Sequence, residues 1–209
     1  MPKHKSDKGF RANYPTIQLS DGSEEPTVPT TFAMADTDVV NLLLRVMARR
    51  YPRLHDAGLR VGVLMARNPD GPPIKSGGYE VLAHIKPVPL KDRLTKGYDA
   101  ELLIDWSEYE RLRGRQQEAL LAHALARLDT VDLTPAEMRA REEDESVTWK
   151  TDDLGRPKLK SVPGDWQAGD GFKQVVAEYG SDAIEFELLA RCKAKADQAK
   201  RAGELGQEV

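Results

Sequence analysis

The sequence predicts an α+β fold, with a small mixed sheet packed on helices. Three observations carry that prediction. Residues 36–51 repeat apolar side chains at helical spacing, the segments near Leu59, Tyr79 and Tyr98 have strand character, and the run 115–128 is the most helix-prone in the chain.

In the first stretch Val40, Leu43, Leu44, Met47, Tyr51 and Leu54 recur at spacings of three and four, with Asp36 placed to cap the first turn. Pro52 withholds an N–H and disfavours helical geometry at Tyr51, so the helix ends or kinks there, before Gly58. The strand-like segments are 59–66, 79–86 and 98–106. Asn68, Pro69, Asp70, Gly71, Pro72 and Pro73 form the turn after the first. In the third, Tyr98, Ala100, Leu102 and Ile104 alternate with Asp99, Glu101, Leu103 and Asp105, the pattern of a strand with one packed face. Gly77 and Gly78 lack the strand–loop–helix context of a phosphate loop and are read as a turn.

Ser107 and Glu110 are spaced as a capping box and predict a short helix. The run RQQEALLAHALARL at 115–128 then forms a long helix with Leu121, Leu125 and Leu128 along one stripe. Thr134 and Glu137, with Pro135 between them, predict a second capped helix reaching about 145. Two strand-like pieces flank the turn at Asp153, Leu154 and Gly155. The sequence GFKQVVAEYG predicts a helix from 171 stopped by Gly180, and a polar helix follows from 181 to about 202.

Residues 1–35 are rich in Pro, Ser, Thr and charge and lack apolar periodicity, which marks a flexible arm. The expected division is therefore an arm at 1–35, one α+β domain at 36–180 and a C-terminal helix and tail at 181–209. The net charge of −3 weighs against generic nucleic-acid binding, although Lys3, Lys5, Lys8 and Arg11 keep a local phosphate contact open. Cys192 stands alone, so there is no intrachain disulfide and no thiolate cluster. Its place on a late polar helix, without a neighbouring histidine, argues against a nucleophile. No apolar run reaches the roughly 20 residues of a membrane span. The start has no apolar core behind its charges, so a cytoplasmic protein with no membrane partner is expected.

The order of elements and the segments YPRLHDAGLRVGVL, VLAHIKPVPL, GYDAELLIDWSEYERL, QQEALLAHALARLD, DDLGRPKLKS and GFKQVVAEYG resemble the putative phage metallopeptidase family, over roughly 39–179. The resemblance implies a zincin whose long helix carries HExxH. Two histidines four apart on one face hold zinc there, and the glutamate takes a proton from the metal-bound water. It also implies a third ligand shortly before the helix that begins GFKQVV.

This chain departs from that pattern. His123 matches the first ligand, but Ala124 stands at the general-base position and Arg127 at the second ligand position. Alanine moves no proton, and a guanidinium has no lone pair for a cation. In the third-ligand region the candidates are Asp165 and Asp170, and the remaining histidines are His4, His55 and His84. The sequence thus favours a phage or prophage protein that is catalytically inactive, with no catalytic residue and no cofactor where the related family uses zinc. His123 is then a vestigial ligand, and Arg127 a fixed cation at a cleft, receiving a carboxylate or carbonyl of a protein or peptide partner or pairing with Asp129 or Glu118. His123 and Arg127 are expected to share one helix face, with Ala124 beside the cleft rather than in the apolar stripe. Two alternatives stay open: a metal-dependent hydrolase with other ligands, for instance His84 with His123, and a host-factor or nucleic-acid-binding accessory protein.

Overall fold

A computed structural model describes residues 16–18, 24–26, 30–69, 74–76, 79–140, 147–164, 172–187, 189–190, 193–194 and 197. The chain is α+β. Its strands are β1 (Thr16–Gln18), β2 (Glu24–Pro26), β3 (Thr31–Met34), β4 (Val61–Arg67), β5 (Lys75–Ser76), β6 (Tyr79–Glu80), β7 (Ala83–Pro87), β8 (Ala100–Asp105), β9 (Leu128–Thr130) and β10 (Leu159–Ser161). Its helices are α1 (Thr37–Arg50), α2 (Pro52–Asp56), α3 (Leu90–Lys96), α4 (Trp106–Arg111), α5 (Gly114–Ala126), α6 (Pro135–Arg139) and α7 (Lys173–Tyr179), followed by a 3-10 turn at Gly180–Asp182.

The main sheet has the order β3-β4-β8-β7. β4 and β8 run parallel, and each is flanked by an antiparallel outer strand. The three segments read as strands thus enter one mixed sheet, with two changes. The sheet strand after the turn starts at Ala83, because Tyr79–Glu80 pairs instead with Lys75–Ser76. A fourth strand, β3, comes from residues assigned to the arm, so the domain begins before the expected boundary at 36. Four residues are too few to show a period, and only pairing with β4 makes them a strand.

α1 ends where Pro52 requires. Tyr51 leaves helical geometry at φ −127°, and Pro52 opens α2 at its first position, where no N–H is needed. Asp36 sits at the N-cap but makes no side-chain cap bond. The cap expected at Ser107 is supplied two residues earlier, where the Asp105 carboxylate accepts the N–H of Glu108. β8 runs to Asp105, so the chain turns directly from strand into helix there and Ser107 falls inside α4. The box at Thr134 forms as the spacing implies, with Thr134 N–H donating to Glu137 Oε2 at 2.7 Å and Glu137 N–H to Thr134 Oγ1 at 3.3 Å.

α5 stops at Ala126, two residues before the expected end, because Leu128 pairs with Ser161 in the β9/β10 ladder. The stripe of Leu121, Leu125 and Leu128 is buried, yet so is every residue from Ala119 to Ala126. α5 is therefore a central helix wrapped by α1, α7 and β7 rather than a helix with one packed face. One core joins Leu43, Val46 and Met47 of α1 to Val63 and Met65 of β4, Leu102 and Ile104 of β8, and Leu121 and Leu125 of α5. Gly62 allows a close approach, since a Cβ there would lie 2.5 Å from the Tyr98 ring.

α7 ends at Gly180, whose φ of +54° suits glycine. The chain is extended at Ala183 and helical again from 184, so the last helix begins later than 181. Ala183, Ile184 and Glu185 are all at least 98% buried and belong to the domain, beyond its expected end at 180. Residues 141–146, Asp165, Asp170, Gly77, Gly78, Cys192 and His4 lie outside the described residues.

Candidate functional site

His123 lies in the last turn of α5 and is buried. Its Nδ1 is 2.8 Å from Glu185 Oε1, a carboxylate 62 residues further along the chain. The same oxygen accepts the backbone N–H of Phe172 at 3.1 Å. Glu185 is 1% exposed. Burial on its own pushes its carboxyl upward, but the hydrogen bond and charge of His123, with the Phe172 N–H, outweigh it and leave the group below its ordinary value. Glu185 Oε2 is buried without a hydrogen-bond partner.

Phe172, which leads into α7, fills the space between the two motif positions that face one way. Its ring meets the His123 ring edge-on, with centroids 5.4 Å apart and planes at 75°. The Arg127 guanidinium lies over the same ring at 5.9 Å. His123 and Arg127 therefore do share a face, as residues four apart on a helix must. That face looks onto a buried phenyl ring rather than an open cleft. Arg127 is the C-cap residue of α5, where a cation suits the helix dipole.

Glu118 and Asp129, the acids considered beside Arg127, also hold other cations. Glu118 takes Arg49 at 3.1 Å, and Asp129 takes Lys160 at 3.2 Å and Arg53 at 3.7 Å. Ala124 is 1% exposed and part of the core, so its expected place beside a cleft is corrected. The helix is covered on all sides over this stretch, and no free side remains for it.

At the residue before His123, the Tyr51 hydroxyl donates to the carbonyl of Ala122 at 2.7 Å. Burial, then the neighbouring Tyr179, pushes the Tyr51 phenol far above its ordinary value. Tyr179 is buried, and its hydroxyl has no hydrogen-bond partner. Both tyrosines line a cavity of about 230 Å³, together with Arg49, Arg50 and Glu178.

His84 is half-buried on β7, the strand that packs against α5. Burial, then the positive charges of Lys86 and Arg127, lower its pKa, which puts it in the field of Arg127. His55 is exposed beside Asp56. Among the described residues no group of three His, Cys, Asp or Glu side chains converges as a metal would need.

Among the described residues, those at the motif therefore do not fit a catalytic zinc. Only one imidazole stands at the motif, the next motif position is a buried methyl, and the second ligand position is a cation. Glu185, Phe172, Tyr51 and Tyr179 were not singled out as site residues by the sequence. Glu185 has no motif around it, and only the fold brings it to His123.

Two comparisons with known proteins find nothing: no curated protein and no solved structure matches the chain. A third gives a family model, described as putative phage metallopeptidase, that matches residues 32–197. Those limits agree with a domain that starts at β3 and runs past Gly180. Among the described residues, no helix is long and apolar enough to cross a membrane.

Proposed function

The chain belongs to the putative phage metallopeptidase family, and from that premise we propose that it keeps the family's scaffold, has lost the zinc chemistry, and works by binding a protein or peptide. The observation that carries this reading is the Phe172 ring set between His123 and Arg127, where the family's two histidines would hold their metal. Ala124 supports it, since a buried methyl group cannot activate water. Arg127 supports it too, because a permanent cation opposes a divalent ion at the same place. The residue assigned to the partner is Arg127, a half-buried guanidinium over the Phe172 ring, a group of the kind that binds carboxylates and backbone carbonyls. On this reading the protein works in the host cytoplasm, with neither membrane nor nucleic acid as its partner.

One observation favours the second reading, a metal-dependent hydrolase with other ligands. A carboxylate on Nδ1 is the device that orients metal-binding histidines, and Glu185 stands there. Elemental analysis of the purified protein separates the two. The proposal expects clearly less than one zinc per chain and a melting temperature that chelator leaves unchanged. A full equivalent of zinc, or a stabilisation by metal approaching the ~4 kcal/mol of a ligand at a thousandfold excess over Kd, would overturn it.

A further inference from the structure

The end of α1, α5 at Ala122 and one side of α7 line the cavity of about 230 Å³. Two phenols meet in it and differ in what they hold. The Tyr51 hydroxyl gives its proton to the Ala122 carbonyl at 2.7 Å. The Tyr179 hydroxyl, on a residue 4% exposed, has no hydrogen-bond partner. Glu185 Oε2 does not take it, since that oxygen is unpartnered too. A phenol O–H shut away from bulk water without an acceptor costs free energy, and an acceptor that enters the cavity recovers it.

The charges in the lining decide what kind of acceptor fits. The Arg50 guanidinium lies over the Tyr179 ring, 5.8 Å from its centroid, and pairs with Glu178. Arg49 reaches the same carboxylate at 4.0 Å and, outside the cavity, Glu118 at 3.1 Å. One lining carboxylate thus serves two lining guanidiniums, each with five N–H donors. Partly exposed pairs of this kind are worth little and rearrange at small cost. A cationic guest would face both arginines, whereas an anionic one meets the N–H groups of Arg50 and the idle O–H of Tyr179. Gln174, also in the lining, offers an amide donor. The volume lies below the roughly 300–1,000 Å³ of pockets that take drug-sized ligands, so the guest is small.

We propose that this cavity binds a carboxylate group, carried by a small acid or by a single acidic residue of a peptide, with Tyr179 donating to one oxygen and Arg50 holding the charge. His123, Ala124 and Arg127 are not among its lining residues. The site is therefore separate from the one assigned to a partner above and does not rest on that reading.

Nuclear magnetic resonance titration of the ¹⁵N-labelled full chain, at fixed pH and ionic strength, tests the idea. The probes are N-acetylglutamate amide, with only a side-chain carboxylate, N-acetylglycine, with only a terminal one, and the neutral N-acetylglutamine amide. Saturable shifts at the amides of residues 49–51 and 174–179 are expected with a carboxylate probe, with Kd on the order of millimolar, and none with the neutral amide. A response to the glutamate probe supports an acidic peptide residue as the source, and a response to N-acetylglycine supports a free acid or a chain terminus. Tyr179→Phe keeps the ring and removes only the donor, and it should weaken binding about tenfold. Arg50→Gln should weaken it about fivefold or more. Spectra that stay unchanged away from the cavity show that each variant is folded, and if one variant unfolds the other decides. No saturable response to either carboxylate overturns the proposal, as does an equal response to the neutral amide, or an affinity that a folded Tyr179→Phe or Arg50→Gln leaves unchanged.

Discussion

Two regions of the molecule bury ionisable side chains, and they are built differently. At one end of the sheet, the Arg93 guanidinium is 5% exposed and donates to Asp152 Oδ2 at 2.8 Å, to the carbonyl of Pro157 at 3.0 Å and, through Nε, to the carbonyl of Val88 at 2.9 Å. Asp99, 1% exposed, accepts the N–H of Arg60 at 3.0 Å and faces Arg156 at 3.4 Å. Asp152 Oδ1 also closes the turn by accepting the N–H groups of Leu154 and Arg156. Among the described residues, no side-chain atom of Arg93, Asp99, Asp152 or Arg156 is both buried and unpartnered. At the end of α5 the His123–Glu185 pair is as deeply buried, but Glu185 Oε2 and the nearby Tyr179 hydroxyl have no partner.

The difference separates a cluster whose buried groups are all paired from one that leaves a carboxylate oxygen and a phenol hydroxyl without partners. A cluster that bridges α3, β8 and the turn at Asp152, with every group satisfied, needs nothing further from outside the chain. A buried carboxylate with one idle oxygen is under-used by the fold, and it sits on the histidine that the family motif identifies. Within the DDLGRPK segment, Asp152 and Arg156 both take part in this cluster.

The comparison breaks most readily at Asp99. Asp99→Ala removes the acceptor for the Arg60 N–H and leaves two buried or half-buried guanidinium groups facing an empty place. A loss of about 3–5 kcal/mol is expected in urea unfolding. A loss under about 1 kcal/mol would mean that the cluster does not hold the fold.

Next in size is Ala124→Glu, which restores the family's glutamate at a position 1% exposed. Burying a carboxyl there costs roughly 2–7 kcal/mol, read from the same unfolding curves. Adding Arg127→His should not recover it, because the obstacle is packing. A double variant as stable as the parent would place Ala124 at a free surface.

Glu185→Gln tests the second cluster more gently. The amide oxygen can still accept from His123 and Phe172, so a loss of about 1–2 kcal/mol is expected. The sign of the pH effect follows from the direction of the shift. Glu185 has a folded value below its unfolded one, so its contribution is complete above the ordinary carboxylate value near 4.3 and is lost as pH falls through the lower folded value. Thermal melts should therefore show a steeper acid decline in the parent than in Glu185→Gln. Identical slopes would mean that the carboxylate is not held by His123.

The smallest effect belongs to Tyr179→Phe. Deleting a buried hydroxyl that has no partner should change stability by no more than about 0.5 kcal/mol, in the stabilising direction if at all. A loss beyond about 1 kcal/mol would reveal a bond to that hydroxyl and remove the asymmetry between the two clusters.

Much of the fold was legible. The spacing from Val40 to Met47, the alternation from Tyr98 to Ile104, the Thr134 box and the stop at Gly180 all report local geometry, which a few consecutive residues determine. β3 was not legible, because four residues become a strand only against β4. The cap at Asp105 was not either, since Ser107 offers the same chemistry and the choice depends on where β8 ends. Within the site, His123, Ala124 and Arg127 were identified by spacing alone, while Glu185 and Phe172 passed as parts of a polar tail and a helix start.

By itself the sequence determined which side chains occupy the motif: an imidazole at 123, a methyl at 124 and a guanidinium at 127. Identity and helical spacing are local properties, and a few consecutive residues carry them. The tertiary structure decided what those side chains meet. Glu185 reaches Nδ1 of His123 and Phe172 fills the gap to Arg127 because α7 and the segment after it fold back onto α5. Hydrogen bonds and ring contacts act over a few ångströms, and a separation of 62 residues in sequence becomes 2.8 Å only once the core has formed.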